Sequence, residues 1–272
     1  MTAAALRGHS ANLVGIPTGL LASVAFNDAP LPLHIRGVHE AHARLFGLLA
    51  AAGSHAEAVN YFQDYMDEVF GLRQDRTDAA GTQVRRFRAS YLRLLKGWGC
   101  DASSREGAVL KGWAESRFGL FPTFHKTALA RFASGAWSRY VEEKMSSRFS
   151  NNDIYTQLDL LYEFCQWSLA RWLRPGQHHL TLYRGINDFC EDALLPGQSR
   201  PRSGQALVRL NNVVSFTAQR SIACEFGDTI LEARVPTAKI LFFNDLLPRH
   251  ALKGEAEYLV IGGDYRVTVG YF

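Results

Sequence analysis

The sequence has little of what marks disulfide-rich, metal-binding or membrane-spanning proteins. Only four of its 272 residues are cysteines, with no CxxC spacing and no matching histidine cluster, so we expect neither a disulfide framework nor a metal site. It contains no run of about eighteen apolar residues that would cross a bilayer. Its net charge of +4 is too small to predict nucleic-acid binding by itself. These absences favour a cytoplasmic globular protein.

The apolar stretch at residues 12–26 does not resemble a secretory leader. Gly15, Pro17 and Gly19 interrupt it, and no basic segment leads into it. We expect this stretch to be part of the folded protein.

The hydrophobic pattern changes once along the chain. Apolar residues recur at three- and four-residue steps between residues 33 and 174, which predicts five or six helices, with capping boxes beginning at Ser54 and Ser103. After Pro175 the pattern predicts short strands at 179–184, 212–217, 229–235, 238–243, 256–262 and 264–271. We therefore predict an α+β protein in which a mainly helical region, 1–175, packs on a mixed or antiparallel β core, 176–272. The two regions are either separate domains or one integrated unit.

Two carboxylates, Glu255 and Glu257, stand one residue apart at the predicted start of a strand. In extended backbone such residues share a face, roughly 6–7 Å apart. Like charges on one face repel, so the pair suits a site that acts on a cation. The alternative is a solvated strand edge, where charges discourage edge pairing.

Polar residues also occupy strand positions upstream. Alternation puts Arg184 on the same face as Leu182, and an inward arginine needs an anionic partner such as a phosphate or Glu257. Ser215 and Thr217 share a face as well, and their hydroxyls can orient a carboxylate or a ribose. The alternatives for the hydroxyls are simple β-propensity or capping of a helix predicted at 220–226.

The order arginine, Ser-x-Thr, Glu-x-Glu resembles the signature of the mono-ADP-ribosyltransferases that modify arginine. Asn212, three residues before Ser215, and Phe226, at the end of the following segment, also match positions of that family's NAD pocket. Thr217 stands where the family usually has a second serine, which keeps a hydroxyl at that position.

A narrower resemblance covers nearly the whole chain. The segments Asn12-Leu13-Val14-Gly15-Ile16-Pro17-Thr18, Leu21-Ala22-Ser23 and Tyr183-Arg184-Gly185-Ile186-Asn187-Asp188 are similar to the dinitrogenase reductase ADP-ribosyltransferases of nitrogen-fixing bacteria. The resemblance implies NAD as co-substrate and an arginine of dinitrogenase reductase, the nitrogenase iron protein, as acceptor. It also implies control by a PII signalling protein, with no nucleic-acid or membrane partner.

The resemblance further implies a role for each matching residue. Glu257 would face the positive charge that develops on the ribose, Ser215 would orient Glu257, and Arg184 would bind the pyrophosphate. Glu255 would orient the acceptor guanidinium and take its proton, because relatives that modify asparagine have glutamine there. The remaining NAD-binding positions are the Gly185 backbone, Asn212, Thr217 and Phe226. The loop 245–254, with Arg249, His250 and Lys253, would recognise the protein acceptor.

Two other functions remain open. One is an NAD-consuming enzyme with a different acceptor, or an NAD glycohydrolase. The other is a non-catalytic regulator or nucleic-acid binder that uses a stretch free of acidic residues. Its basic side chains are Arg85, Arg86, Arg88, Arg93 and Lys96, although such a run is more often a solvated helix face.

Overall fold

The computed structural model describes residues 8–72, 90–145, 152–187, 193–195, 204–247 and 256–271. The α-helices within these ranges are α1 (Thr18–Leu21), α2 (Val24–Asp28), α3 (Val38–Ala41), α4 (Ala43–Ala51), α5 (His55–Phe70), α6 (Tyr91–Cys100), α7 (Arg105–Phe118), α8 (Gly135–Lys144), α9 (Asn152–Ser168) and α10 (Arg220–Ala223). A π-helical turn, Leu169–Leu173, continues α9, and short 3-10 helices cover Thr237–Lys239 and Asn244–Leu246. The strands are β1 (Phe124–His125), β2 (Thr127–Ala128), β3 (His179–Ile186), β4 (Ala193–Leu194), β5 (Gly204–Thr217), β6 (Thr229–Pro236), β7 (Ile240–Phe243) and β8 (Glu257–Tyr271).

Serine side chains begin many of the helices. The hydroxyl of each accepts a hydrogen bond from the backbone amide three residues later, which satisfies an amide that has no partner within the helix. These N-caps are Ser23, Ser54, Ser90, Ser104 and Ser134. The predicted helix start at Ser54 is therefore confirmed. The prediction at Ser103 is wrong by one residue, because Ser104 caps α7.

The helical region is more finely divided than the sequence pattern predicts. Seven α-helices, α3 to α9, lie in the described part of residues 33–174, against the five or six predicted. The last helix of this region, α9, continues through its π-helical turn to Leu173, just before Pro175, where the predicted pattern changes. Within α9 the Tyr162 hydroxyl lies between the backbone oxygens of Ala238 and Leu33, at 2.9 and 3.1 Å, and its single hydrogen is shared between them. Helix α9 thus joins the N-terminal segment to the chain that enters β7.

Six strands form one sheet in the order β4-β5-β3-β6-β8-β7, and β5 also pairs with β8 along most of its length. Every pairing between these strands is antiparallel, so the predicted α+β class with an antiparallel core is confirmed. Residues 256–271, predicted as two strands, contain the single strand β8, which begins at Glu257. Strand β5 begins at Gly204, eight residues before the predicted start.

A β-bulge fastens the helical region to β5. Asn211 and Asn212 together oppose Gly262 of β8, where a Cβ would lie 1.6 Å from the Asn211 backbone oxygen, so only glycine fits. The Asn212 amide group donates to the backbone oxygens of Lys111 and Leu120, at 2.8 and 3.0 Å. At the bulge, pairing within the sheet is therefore replaced by contacts with Lys111 of α7 and with Leu120, just after that helix.

Buried apolar residues from both predicted regions form one contiguous core, which runs from Leu21 in α1 to Val269 in β8. The boundary between regions 1–175 and 176–272 therefore remains a prediction. Among the described helices, none has both the length and the apolar character needed to cross a membrane.

Candidate active site

Three of the predicted site residues meet where β3, β5 and β8 lie side by side. Antiparallel pairing places Thr217 opposite both Tyr183 and Glu257. The Ser215 hydroxyl donates to Glu257 Oε1 at 2.5 Å, and Arg184 Nη1 donates to the Ser215 backbone oxygen at 3.1 Å. Each of the three side chains is half-buried. A guanidinium, a hydroxyl and a carboxylate therefore share one end of the sheet.

The serine is held in turn by a tryptophan from the helical region. Trp98 of α6 is buried, and its indole N–H donates to Ser215 Oγ at 2.8 Å. Because a hydroxyl has a single hydrogen, accepting from Trp98 leaves that hydrogen for Glu257. The sequence pattern does not single out Trp98, since the apolar stripe of α6 does not reveal a partner 117 positions away.

Gly185 follows Arg184 on β3, and Phe226 lies in the turn that packs on this strand. A Cβ at Gly185 would lie 1.9 Å from the Ala223 backbone oxygen and 3.1 Å from the Gly227 backbone nitrogen, so the turn after α10 packs directly on β3. This close packing by itself requires glycine at position 185. The neighbouring Phe226 side chain is 51% exposed. An exposed aromatic side chain, which a planar ring can contact, thus lies in the turn that packs on β3.

Thr217 and Asn212 have different surroundings from those expected of NAD-binding residues. Thr217 is buried, and its hydroxyl accepts from the Gln219 backbone amide at 3.2 Å. This is not the helix cap that the alternative predicts, because the N-cap residue of α10 is Gln219 and its side chain makes no capping hydrogen bond. The helix that follows, α10, ends at Ala223, so the prediction of a helix over 220–226 is too long. Asn212 is buried in the bulge and directed at α7, so the structure does not bring it to Arg184, Ser215 and Glu257.

The backbone before Glu257 departs from the extended geometry that the sequence predicts. Strand β8 begins at Glu257, and Ala256 has a φ of +44°, in the left-handed region that alanine rarely adopts. Alternation therefore does not set the direction of Glu255 relative to Glu257. Glu255 itself, with most of the predicted acceptor loop, lies outside the described residues. Backbone of this kind is often found at functional sites, where surrounding structure compensates its cost.

The N-terminal segment that carries the narrower resemblance forms a turn away from this site. Asn12 Oδ1 accepts from the backbone amides of Val14 and Gly15, and its Nδ2 donates to the Ile16 backbone oxygen at 2.7 Å. The turn lines a cavity of about 690 Å³ together with Arg36. The residues that line this cavity include none of the predicted site residues.

An arginine, a serine and a glutamate brought together by neighbouring strands are the arrangement expected of an arginine-modifying ADP-ribosyltransferase. Comparison with known proteins gives the family. The model of the dinitrogenase reductase ADP-ribosyltransferase (DRAT) family matches residues 11–269, and the chain belongs to this family. It is 58% identical over 267 residues to the NAD(+)–dinitrogen-reductase ADP-D-ribosyltransferase of Rhodospirillum rubrum, covering 97% of this chain and 96% of that protein. A search of solved structures found no match.

Proposed function

We propose that this protein transfers ADP-ribose from NAD to an arginine side chain of dinitrogenase reductase, and so inactivates the nitrogenase iron protein and regulates nitrogen fixation. The observation that carries the proposal is the Ser215–Glu257 hydrogen bond beside Arg184. Family membership supports it, because the Rhodospirillum rubrum relative carries this activity in its name.

The first half of the reaction breaks the bond between ribose and nicotinamide. NAD supplies an ADP-ribose group and a leaving nicotinamide, which departs with the bonding electron pair, so positive charge develops on the ribose. In the proposal, the Glu257 carboxylate faces that charge, and a carboxylate already held in place stabilises it without reorganising. Ser215 and Trp98 provide the holding hydrogen bonds. Arg184 binds a pyrophosphate oxygen as a charge-assisted pair, and Phe226 packs against the nicotinamide ring.

The second half joins the acceptor to the ribose. A guanidinium is protonated at ordinary pH and is then a poor nucleophile. Glu255 orients it and takes one proton as the guanidinium nitrogen bonds to the ribose carbon. The charges then balance, because the positive charge of the ribose passes to the modified arginine while the proton stays on Glu255. The loop that includes Arg249, His250 and Lys253 recognises the acceptor in this proposal.

The test is incubation with NAD labelled in its adenylate group, with and without dinitrogenase reductase. We expect label on the iron protein, and mass spectrometry of its peptides should locate the label on one arginine. A version of the iron protein with that arginine replaced by lysine is the control and should remain unlabelled.

Other outcomes would support the remaining functions. Label released only as free ADP-ribose would overturn transfer and favour an NAD glycohydrolase. No NAD consumption, together with salt-dependent retention on nucleic acid, would favour a binding protein that uses the basic stretch. Within that stretch, Arg93 and Lys96 lie on the exposed face of α6, and Arg85, Arg86 and Arg88 lie outside the described residues.

The proposal includes a cytoplasmic location and control by a PII signalling protein. Family membership is its support. Co-purification of the full chain with PII, in the presence and absence of NAD, tests the control. If the amount of complex changes neither with NAD nor with the PII concentration, the result would contradict control by PII.

A further inference from the structure

We propose that His34, His39 and Glu163 form a binding site for a divalent transition-metal ion, with Zn²⁺ as the ion that suits these ligands best. His34 Nδ1 and His39 Nε2 each lie 2.9 Å from Glu163 Oε2. The three candidate ligand atoms all lie within 4.8 Å of one another. The cysteine and histidine spacing did not predict a metal site, because these residues come from segments more than 120 positions apart.

The carboxylate is placed before any ligand arrives. The Glu163 side chain on α9 is fully buried, and its other oxygen, Oε1, accepts from the Ile35 backbone amide at 2.6 Å. This hydrogen bond leaves Oε2 directed at both imidazoles. A buried carboxylate is unfavourable unless several donors or a cation compensate its charge.

The two rings are also held in position. The His39 ring stacks on Phe46 of α4 at a centroid distance of 3.7 Å and an angle of 11°. The His34 ring meets the His39 ring edge to face at 5.6 Å. Their side chains remain 60% and 43% exposed, so an ion in solvent can reach both nitrogens.

The geometry and the chemistry of the ligands fit a small ion with an open coordination position. Bonds of about 2.0–2.2 Å from a metal to nitrogen and oxygen ligands place neighbouring ligands roughly 3.0–3.5 Å apart. The two 2.9 Å distances to Oε2 are close to this value, and the two imidazole nitrogens, which lie within 4.8 Å of each other, reach it by side-chain rotation. Two imidazoles and one carboxylate favour Zn²⁺ over Mg²⁺ or Ca²⁺. The site borders a cavity of about 460 Å³, which Gln166, Trp167 and Arg171 also line. Water or an anion in that cavity completes the coordination.

An ion at this position would link two segments of the helical region, one of which contacts the β core. His34 and His39 belong to the segment that leads into and forms α3, and Glu163 belongs to α9. Three residues further along α9, Gln166 Nε2 donates to the backbone oxygens of Thr237 and Ile240, at 3.1 and 2.8 Å. Strand β7 starts at Ile240 and pairs with the first residues of β8. The ion therefore stabilises α9, which contacts the start of β7, and β7 pairs with β8, the strand that carries Glu257.

The test uses full-length protein stripped of metal and titrated with Zn²⁺ against a chromogenic chelator. The key variant combines His34→Asn with His39→Gln. The new amide groups occupy the positions of the ligating nitrogens and still donate to Glu163, but they are poor metal ligands. We expect one tightly bound Zn²⁺ per wild-type chain, and an affinity loss of more than about 100-fold in the double variant, since even second-shell changes cost 10–100-fold.

His42→Asn is the matched control. This histidine lies close in sequence but bonds to the Tyr65 hydroxyl at 3.0 Å, so its replacement should leave the zinc affinity unchanged. Zinc should also raise the melting temperature of the wild type and of His42→Asn, and should not raise that of the double variant.

Cobalt substitution of the wild type gives a measurement that needs no variant. Visible bands without a thiolate charge-transfer band would support nitrogen and oxygen ligands, whereas a thiolate band would assign the ion to a cysteine and overturn the proposal. Equal zinc affinity of the wild type and the double variant would overturn it too. So would the absence of stoichiometric binding to the wild type.

Discussion

Glu257 and Glu163 are both held by hydrogen bonds before any ligand binds, but different kinds of contact place them. Glu257 is half-buried at the start of β8, and its partner Ser215 lies on the adjacent strand. Glu163 is fully buried on α9, and both of its histidine partners come from the N-terminal segment. Strand pairing produces the first cluster, and packing between distant helical segments produces the second.

The difference shows how each region contributes to function. The β region supplies a row of polar groups whose order follows from alternation along the strands. The helical region shares its apolar core with the β region and adds hydrogen bonds at particular residues, such as those of Trp98 with Ser215 and of the Lys111 backbone oxygen with Asn212. We infer that charge changes in the β region alter the chemistry, whereas changes in the helical region alter its positioning or its stability.

The largest expected effect comes from Glu257→Gln. Glutamine keeps the size and the hydrogen bond to Ser215 but removes the negative charge that faces the ribose. We expect both arginine transfer and NAD hydrolysis to fall by about 10³-fold, the loss typical of a preorganised electrostatic group. NAD affinity, measured by calorimetry, should change little. Glu255→Gln should differ, because transfer should collapse while some NAD hydrolysis continues.

Glu163→Gln is the control for this prediction. It makes the same chemical change at a buried glutamate of the helical region. The folded fraction of this variant should keep most of the wild-type turnover number, even where its stability and zinc affinity are reduced. Equal losses of turnover in Glu163→Gln and Glu257→Gln would show that the two regions do not divide the work as inferred.

The sequence predicts the β region well for a physical reason. Period-two alternation is local, so Arg184, Ser215 and Glu257 can each be assigned to a strand face from neighbouring residues. Their meeting then requires only that the three strands are adjacent. The same reasoning fails at Ala256, where a φ of +44° replaces extended backbone. It also fails at Gly263, which the pattern predicts as a break between two strands although β8 continues through it.

The helical region is predicted less completely. Periodicity and serine caps give most of its helices, but they do not specify which helices touch. The contacts of Trp98 with Ser215 and of His34 with Glu163 depend on packing between positions more than 100 residues apart. The NAD contact that the motif predicts for Asn212 stays a prediction. Packing adds what the motif does not show, because the Asn212 amide donates to two backbone oxygens of the helical region.

Trp98→Phe sharpens the comparison by removing one hydrogen bond between the regions. An aromatic ring remains in the core, but Ser215 loses the hydrogen bond from the indole. That bond directs the hydroxyl hydrogen of Ser215 to Glu257. A hydrogen bond is worth about 0.5–1.5 kcal/mol net, so we expect the turnover number to fall by roughly 2- to 13-fold. The KM for NAD should change less than the turnover number.

Trp113→Phe is the matched control for Trp98→Phe. Trp113 is also buried in the helical region and its indole donates to Asp159 at 2.7 Å, away from the site. Its loss should reduce stability and leave turnover of the folded protein unchanged. If Trp98 acts through Ser215, adding Trp98→Phe to Ser215→Ala should cause little further loss. Fully additive losses would contradict this coupling.

The smallest expected effect on activity comes from Lys239, at the junction of the two regions. Lys239 is fully buried, its ammonium lies over the rings of Phe26 and Tyr265, and it donates to the Gly262 backbone oxygen at 3.3 Å. Burial lowers the pKa of this ammonium to about 7, although nearby Asp264 acts in the opposite direction. Between pH 7 and 9 the unfolded chain therefore binds a proton at this lysine that the folded chain has largely released. Stability contributed by this group must rise with pH, by up to about 1.4 kcal/mol per pH unit.

Lys239→Met should remove the rise of stability with pH while leaving activity at pH 8 nearly unchanged. Urea unfolding at pH 7, 8 and 9 measures that stability. Lys239→Arg should remove it as well, because arginine does not deprotonate in this range. The two variants should differ in stability, since methionine replaces a buried cation with an apolar chain and arginine keeps the charge in the core. A slope that persists in both variants would mean that another group titrates. If the dependence of unfolding free energy on pH is lost in both variants, one buried lysine couples stability to pH. The contact between the two regions then depends on the protonation of that lysine.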